Sequence, residues 1–206
     1  MKKKLFALAV LVIILAGTVT GTLAYYTAKT VAHNVITSGE IDIQLVETII
    51  DKTDSDKDGS TTDEVPYPTD PVGGIMPGED HSKIVRIENV GTNPAWVRMK
   101  VVVEINDRKV DLSDEDSVLA LDFNNTEWEK KGNYYYYKKA LTSQGSAGSE
   151  TVPLFTTVRF AGEEMDNDYQ NAKIEISVQA EGIQYQNNTN YATAWPTGVQ
   201  ILPLLG

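Results

Sequence analysis

The sequence predicts an all-β protein of two antiparallel sheets packed face to face, and three observations carry that expectation. Apolar residues recur at every second position in several segments, the period of a strand with one buried and one wet face. Clusters of Gly, Pro, Asn and Asp, the residues turns require, separate those segments. The chain has 206 residues and no Cys, so it is long enough to bury one core without disulfide staples. Six or more strands so arranged make a sandwich.

The N-terminus precedes that body. Lys2, Lys3 and Lys4 lead into twelve unbroken apolar residues, 5–16, and a small-residue stretch then ends at Thr22-Leu23-Ala24. A basic n-region, a short apolar h-region and small residues before the cut read as an export signal cleaved between Ala24 and Tyr25. Residues 5–24 are also long enough to cross a bilayer, so an uncleaved anchor is the alternative, although the Gly and Thr residues of the second half favour cleavage. Either way the body is expected outside the cytoplasm, secreted into an extracellular matrix or held at the cell surface.

Within the body, residues 40–50 put Ile41, Ile43 and Leu45 on one face and Asp42 and Gln44 on the other. Residues 82–88 alternate less cleanly, with Val85 and Ile87 in step. The clearest strand is 95–106, where Val97, Met99, Val101, Val103 and Ile105 face inward and Trp96, Arg98, Lys100, Val102 and Glu104 face outward. Residues 127–139 form a hairpin turning on Gly132-Asn133, with four tyrosines, 134–137, on the second arm. Residues 152–160 follow as a strand whose Pro153 restricts its start to an edge or an entrance. Residues 173–184 bury Ile174, Ile176, Val178 and Ala180 and leave Lys173, Glu175, Ser177, Gln179 and Glu181 wet. Helix enters as short insertions. Ser113 caps one that runs to Leu121, with Asp114, Glu115 and Asp116 in its first turn, and residues 162–171 hold a further turn or two.

Charge and motif content narrow the function. With 18 basic against 29 acidic side chains the net charge is -11, and removal of the three N-terminal lysines makes it -14. Such a chain has no sequence-independent grip on nucleic acid. Asp54, Asp56, Asp58 and Gly59 match the start of a calcium-binding loop, but Val65 stands where the bidentate Glu belongs, so a solvated acidic hairpin loop is the competing reading. His33 and His81 lack the His-x-x-x-His spacing of a zinc protease, there is no Gly-x-Ser-x-Gly elbow, and nothing else compels catalysis. At most two of the four tyrosines share a face, so packing outweighs a sugar-stacking platform. No cofactor is expected beyond that candidate calcium.

Four segments resemble one family. Residues 23–43 (LAYYTAKTVAHNVITSGEIDI) are similar to the stretch that follows the signal in proteins cut by the dedicated signal peptidase SipW, with Asn34, Gly39, Ile41, Asp42 and Ile43 in step. Residues 77–100 (PGEDHSKIVRIENVGTNPAWVRMK) resemble that group's Pro-Gly-acid motif and its Asn-x-Gly-x-x-Pro-Ala-aromatic-Val-Arg motif. Residues 135–155 (YYYKKALTSQGSAGSETVPLF) and 180–195 resemble its two remaining motifs. Together they cover most of the mature chain and identify it as similar to the TasA and camelysin group of SipW-dependent biofilm matrix proteins.

The resemblance implies a jelly-roll-type sandwich that is exported, trimmed and assembled into fibres with itself and with other matrix components; the protease label of camelysin-type members is not carried over, because no zinc constellation supports it, and the chain is expected not to be an enzyme. It implies that the freed N-terminal segment, residues 25–39, is a donor strand that enters a groove of the next copy. Tyr25, Tyr26, Val31, Val35 and Ile36 suit that role, because an unpaired sheet edge presents bare N–H and C=O groups for a foreign strand and head-to-tail addition does not close. The expected division is therefore a signal at 1–24, a donor segment at 25–39 and a sandwich at 40–206. Two alternatives stand beside it: a monomeric or tethered surface-binding module, and a camelysin-like extracellular metalloprotease. The acidic, Pro-rich stretch 51–76 departs from the family pattern.

Overall fold

The computed structural model describes residues 26–38, 41–52, 63–69, 72–112, 117–162, 165, 169, 172–188 and 190–195, with the backbone alone described in 26–38 and 72–75. The elements in order are β1 (Tyr26–Ser38), β2 (Ile43–Asp51), β3 (Asp63–Pro66), β4 (Val72–Ile75), β5 (Asp80–Asn89), β6 (Ala95–Ile105), β7 (Arg108–Lys109), β8 (Leu119–Leu121), β9 (Trp128–Lys131), β10 (Tyr134–Tyr137), β11 (Phe155–Phe160) and β12 (Lys173–Gln184). They form two sheets. One runs β4-β1-β12-β6-β10-β9, with β7 paired to the end of β6, and the other runs β3-β2-β5-β11-β8. Every pairing is antiparallel except that of β1 with β12, which is parallel. The β2 strand lies against β1 and β12, so the β3 and β4 borders fall on one side of the sandwich and the β8 and β9 borders on the other.

Alternation places the core. From the first sheet come Val97, Met99, Val103, Ile105, Ile174, Ile176, Val178 and Ala180, with Tyr135, Tyr137 and Trp128 at its far side. From the second come Ile43, Leu45, Val85, Ile87, Leu119, Phe155, Val158 and Phe160. Phe123 stacks on Tyr135 at 4.4 Å and meets Phe155 edge-on at 5.8 Å, joining the sheets near the β9 border. The tyrosine arm divides as its pleat requires: Tyr135 and Tyr137 are in the core, Tyr134 and Tyr136 on the outer face.

Turn residues set the hairpins. Gly132, at φ 59°, is the first central residue of the two-residue turn that pairs Lys131 with Tyr134, where a positive φ is required. Asn106 and Asp107, at φ 50° and 62°, join β6 to β7, and these are side chains that tolerate the left-handed region.

Two expectations need correction. Residues 119–121 are strand β8, hydrogen-bonded to β11, and not the end of a helix begun at Ser113. The acidic first turn favoured a helix locally, but Val118 and Leu119 are buried in the core, and three residues against a sheet edge achieve that as a strand. Ser113 itself, and most of 162–171, lie outside the described residues. The Pro-rich stretch 65–78 carries the end of β3 and all of β4. The parallel β1–β12 pairing also departs from the all-antiparallel expectation.

Candidate functional site

The site is the flank of β12 that carries β1. Strand β12 is the centre of its sheet because its inner residues, Ile174, Ile176, Val178 and Ala180, are all buried while Glu175, Ser177 and Gln179 alternate with them. Along one flank it pairs with β6 from Ile174–Ile105 to Gln184–Ala95 without interruption. Along the other it pairs with β1 from Thr27–Lys173 to Ser38–Ile183, with a bulge between Val31 and Asn34. Among the described residues only β4 follows beyond β1, and it holds Tyr26, Thr27 and Ala28 alone. Of the expected donor residues, Tyr26, Val31, Val35 and Ile36 therefore lie in β1, on the backbone of their own copy, while Tyr25 lies outside the described residues.

Just after β1 the chain crosses to the second sheet, and the crossing is pinned. Ile41 is buried, and a Cβ on Gly182 would stand 3.0 Å from Ile43 Cδ1 and 3.2 Å from Ile41 Cγ2. A Cβ on Gly91 would stand 2.9 Å from the Asp42 nitrogen, and the Asp42 carbonyl accepts from Val90 N–H at 3.0 Å. The backbone at Ile41–Asp42 is thus held between two glycines that nothing larger can replace without a shift. The strand that precedes it hangs from a fixed point.

At the other end of β2 the interior holds a charge pair. Glu47 and Lys83 continue the core-facing alternation of Ile43 and Leu45 in β2 and of Ile87 and Val85 in β5. Lys83 Nζ is 3.0 Å from Glu47 Oε1 and 3.9 Å from the Tyr67 ring centroid, and its side chain is 1% exposed. Burial lowers the Lys83 pKa, and the Glu47 carboxylate offsets this in part. Such a pair adds little net stability, but removal of one partner leaves a buried charge.

The motifs that carried the family resemblance have structural roles here. Asn89, fully buried, donates from Nδ2 to the Asn93 and Thr142 carbonyls, both at 2.8 Å, and accepts from Gly91 N–H at 3.0 Å, so it ties together two loops. Thr151 Oγ1 accepts from Ile87 N–H at 3.0 Å, and Leu154 and Phe155 fill the core. Arg98 is gripped by Glu181 at 2.7 Å, donates to the Tyr136 hydroxyl at 3.0 Å, and lies 3.8 Å from the Tyr134 ring centroid and 4.0 Å from that of Trp195. Sequence reasoning missed this clamp. Trp96 and Glu181 were expected in water, yet both are buried, since the arm 185–195 lies over them: Trp96 Nε1 donates to the Asn188 carbonyl at 2.7 Å, and its ring meets Tyr185 and Tyr191. The aromatic residues of 185–195 were the available signal.

The remaining sequence candidates are dispersed or undescribed. Ala24, Asp54, Asp56 and Asp58 lie outside the described residues, as do the export signal at 1–24 and the acidic loop. His81 Nε2 is 3.2 Å from Glu79 Oε2 and its ring packs edge-on to Phe160, while the side chain of His33 is undescribed. Among the described residues no group of three His, Asp or Glu side chains converges on a metal position, and no helix is long and apolar enough to cross a membrane. No family model, no curated protein and no solved structure matches this chain.

Proposed function

We propose that the chain is a secreted structural subunit of a biofilm matrix or cell surface, which assembles into fibres by giving its mature N-terminal strand to a neighbouring copy. The observation that supports this reading is the mounting of β1. It is the first strand of the mature chain, pairs along its length with β12, and is followed at once by the pinned residues Ile41–Asp42. Departure of β1 would bare one whole flank of β12, whose backbone N–H and C=O groups an identical strand from another copy satisfies with the same pairings. Fusion to an export signal delays exchange, because a dedicated signal peptidase must first free the donor end at Ala24-Tyr25. The partners are then further copies of the chain and, within the matrix, other components.

The position of β1 in its own copy favours one second reading, a monomeric or tethered surface module whose first strand never leaves. The two are separated by electron microscopy of the chain beginning at Tyr25 beside a version lacking residues 25–37. Fibre assembly predicts filaments from the first and none from the second, with a synthetic 25–37 peptide binding to the shortened version and raising its melting temperature. Filaments of the same form from the shortened version would refute the donor role, and an intact chain that stays monomeric after cleavage would favour the second reading.

A further inference from the structure

The Lys83–Glu47 contact differs in kind from the other lysine–carboxylate pairs among the described residues. Lys131 with Glu129, Lys139 with Glu127, and Lys173 with Asp107 and Glu175 each use a lysine side chain at least 44% exposed. The Lys83 and Glu47 side chains are 1% and 5% exposed, with Nζ 3.0 Å from Oε1. Strand register holds them there. Glu47 pairs with Val85 across β2 and β5, so Lys83, two residues along the same face of β5, is its diagonal neighbour, a separation that long side chains span. Tyr67 closes the pair in, since its N–H donates to the Glu47 carbonyl at 3.0 Å and its ring centroid lies 3.9 Å from Nζ. An amine and a carboxyl group are thus held in contact in the interior, away from bulk water.

We infer that Lys83 and Glu47 condense to an intramolecular amide that locks β2 to β5. As an ion pair the two are a costly way to join strands, because apolar residues of like volume hold a core together as well or better. The same placement suits a reaction. Burial lowers the Lys83 pKa, which favours transfer of one ammonium proton to the Glu47 carboxylate within the pair. The neutral amine then attacks Cδ of the neutral acid. The Nζ–Cδ bond forms, the bond from Cδ to one carboxyl oxygen breaks, and that oxygen leaves as water, carrying its own proton and a second one from nitrogen. One ammonium and one carboxylate become one neutral amide and one water, with no oxidant, reductant or cofactor. Reactants so oriented behave as if at effective molarities of about 10⁵–10⁸ M once the reacting atoms are about 3–3.5 Å apart, and Cδ is one bond from the oxygen that Nζ already touches. A mechanical consequence rests on the fibre reading, although the bond itself does not. Load drawn through an exchanged β1 enters the body at Ile41–Asp42 and passes into β2, where the amide at residue 47 hands it to β5.

Intact-mass spectrometry of the mature wild-type chain, denatured after folding, tests this without any variant. The chain is expected to be lighter than its sequence by one water. A tryptic digest is expected to hold one branched peptide, residues 30–52 joined to residues 58–86, uncut after Lys83, with fragmentation placing the link between Glu47 and Lys83. The control is E47L/K83M, which removes both charges together and so strands neither, and it is expected at its full sequence mass. A folded wild-type chain of full sequence mass overturns the inference. So does a lost water that maps to another position or persists in E47L/K83M. Filaments from a chain of full mass leave the donor-strand reading standing without this bond, and a lighter chain with the Glu47–Lys83 link that stays monomeric leaves the bond standing without the fibre.

Discussion

The two flanks of β12 are built differently. On the β6 flank, eleven consecutive pairs run antiparallel without a bulge, the inner face is closed by Val97, Met99 and Val103, and the outer face is clamped where Arg98 grips Glu181 beneath the C-terminal arm. On the β1 flank the pairing is parallel and broken by a bulge, and among the described residues the partner strand has behind it only the short β4. Parallel pairs are slightly weaker per residue, and a strand supported on one side has fewer neighbours to lose when it leaves. On the proposed reading, one central strand joins a fixed half to an exchangeable one. Stability and assembly are therefore expected to respond to different residues.

Hydrogen exchange sharpens the contrast most. Alternation turns the amides of Glu175, Ser177, Gln179 and Glu181 toward β6 and those of Ile174, Ile176, Val178 and Ala180 toward β1, since the Lys173 carbonyl accepts from Asn106 and the Tyr185 amide donates to Pro94 on the β6 side. In the unassembled mature chain, every second amide of β12 should exchange about a hundredfold faster, and filaments should remove the difference. Uniform protection along β12 in the monomer would break the comparison.

Substitutions come next. Met99→Ala, at a fully buried position on the β6 flank, should cost about 2–5 kcal/mol in a denaturant titration while leaving the filaments made by the surviving fold unchanged. Gly182→Val should cost less, about 1–3 kcal/mol by overpacking against Ile41 and Ile43, yet should disturb assembly more, because those residues follow the strand proposed to exchange. Equal effects of the two on assembly would show that the pinned crossing has no role in it.

How much of this was legible in the sequence depended on what each segment packs against. Strand β12 falls on residues 173–184 as its alternation predicts, β6 ends one residue early, and Gly132-Asn133 turns the tyrosine hairpin, because in each the buried face is written at every second position. β4 was illegible, since Val72-Gly73-Gly74-Ile75 has no alternation to read. Leu119–Leu121 was misread because the acids before it speak for a helix locally while the sheet edge beside it wins. Neither Trp96 nor Glu181 announces a cover, which comes from an arm ninety residues away from Trp96 in the chain. The parallel placement of β1 was equally hidden: its residues say strand, but nothing in them says which flank or which copy.

The smallest expected effect is one of pH. Burial alone would raise the Glu64 pKa, but hydrogen bonds from Thr48 and Arg86 outweigh it and hold it below the usual carboxylate range, and the hydrogen bond from Arg159 does the same for Asp80. Groups with depressed folded pKa values contribute stability above their unfolded values near 4 and lose it as pH falls through the folded ones. Both lie in the β2–β5–β11 sheet, so a drop from pH 6 to pH 3 should lower the melting temperature modestly and leave the exchange contrast between the two flanks of β12 intact.

The most direct measurement uses the absence of cysteine. Asn34 and Gln179 are Cα partners across the β1–β12 pairing, within the reach of a disulfide, and in this chain N34C/Q179C has no other thiol to pair with. Oxidised filaments of the mature variant, run without reductant on a denaturing gel, should give a ladder of covalent dimers, trimers and higher multiples, each link joining the β1 of one copy to the β12 of another. A single monomer band whose disulfide lies wholly within one chain would contradict the account.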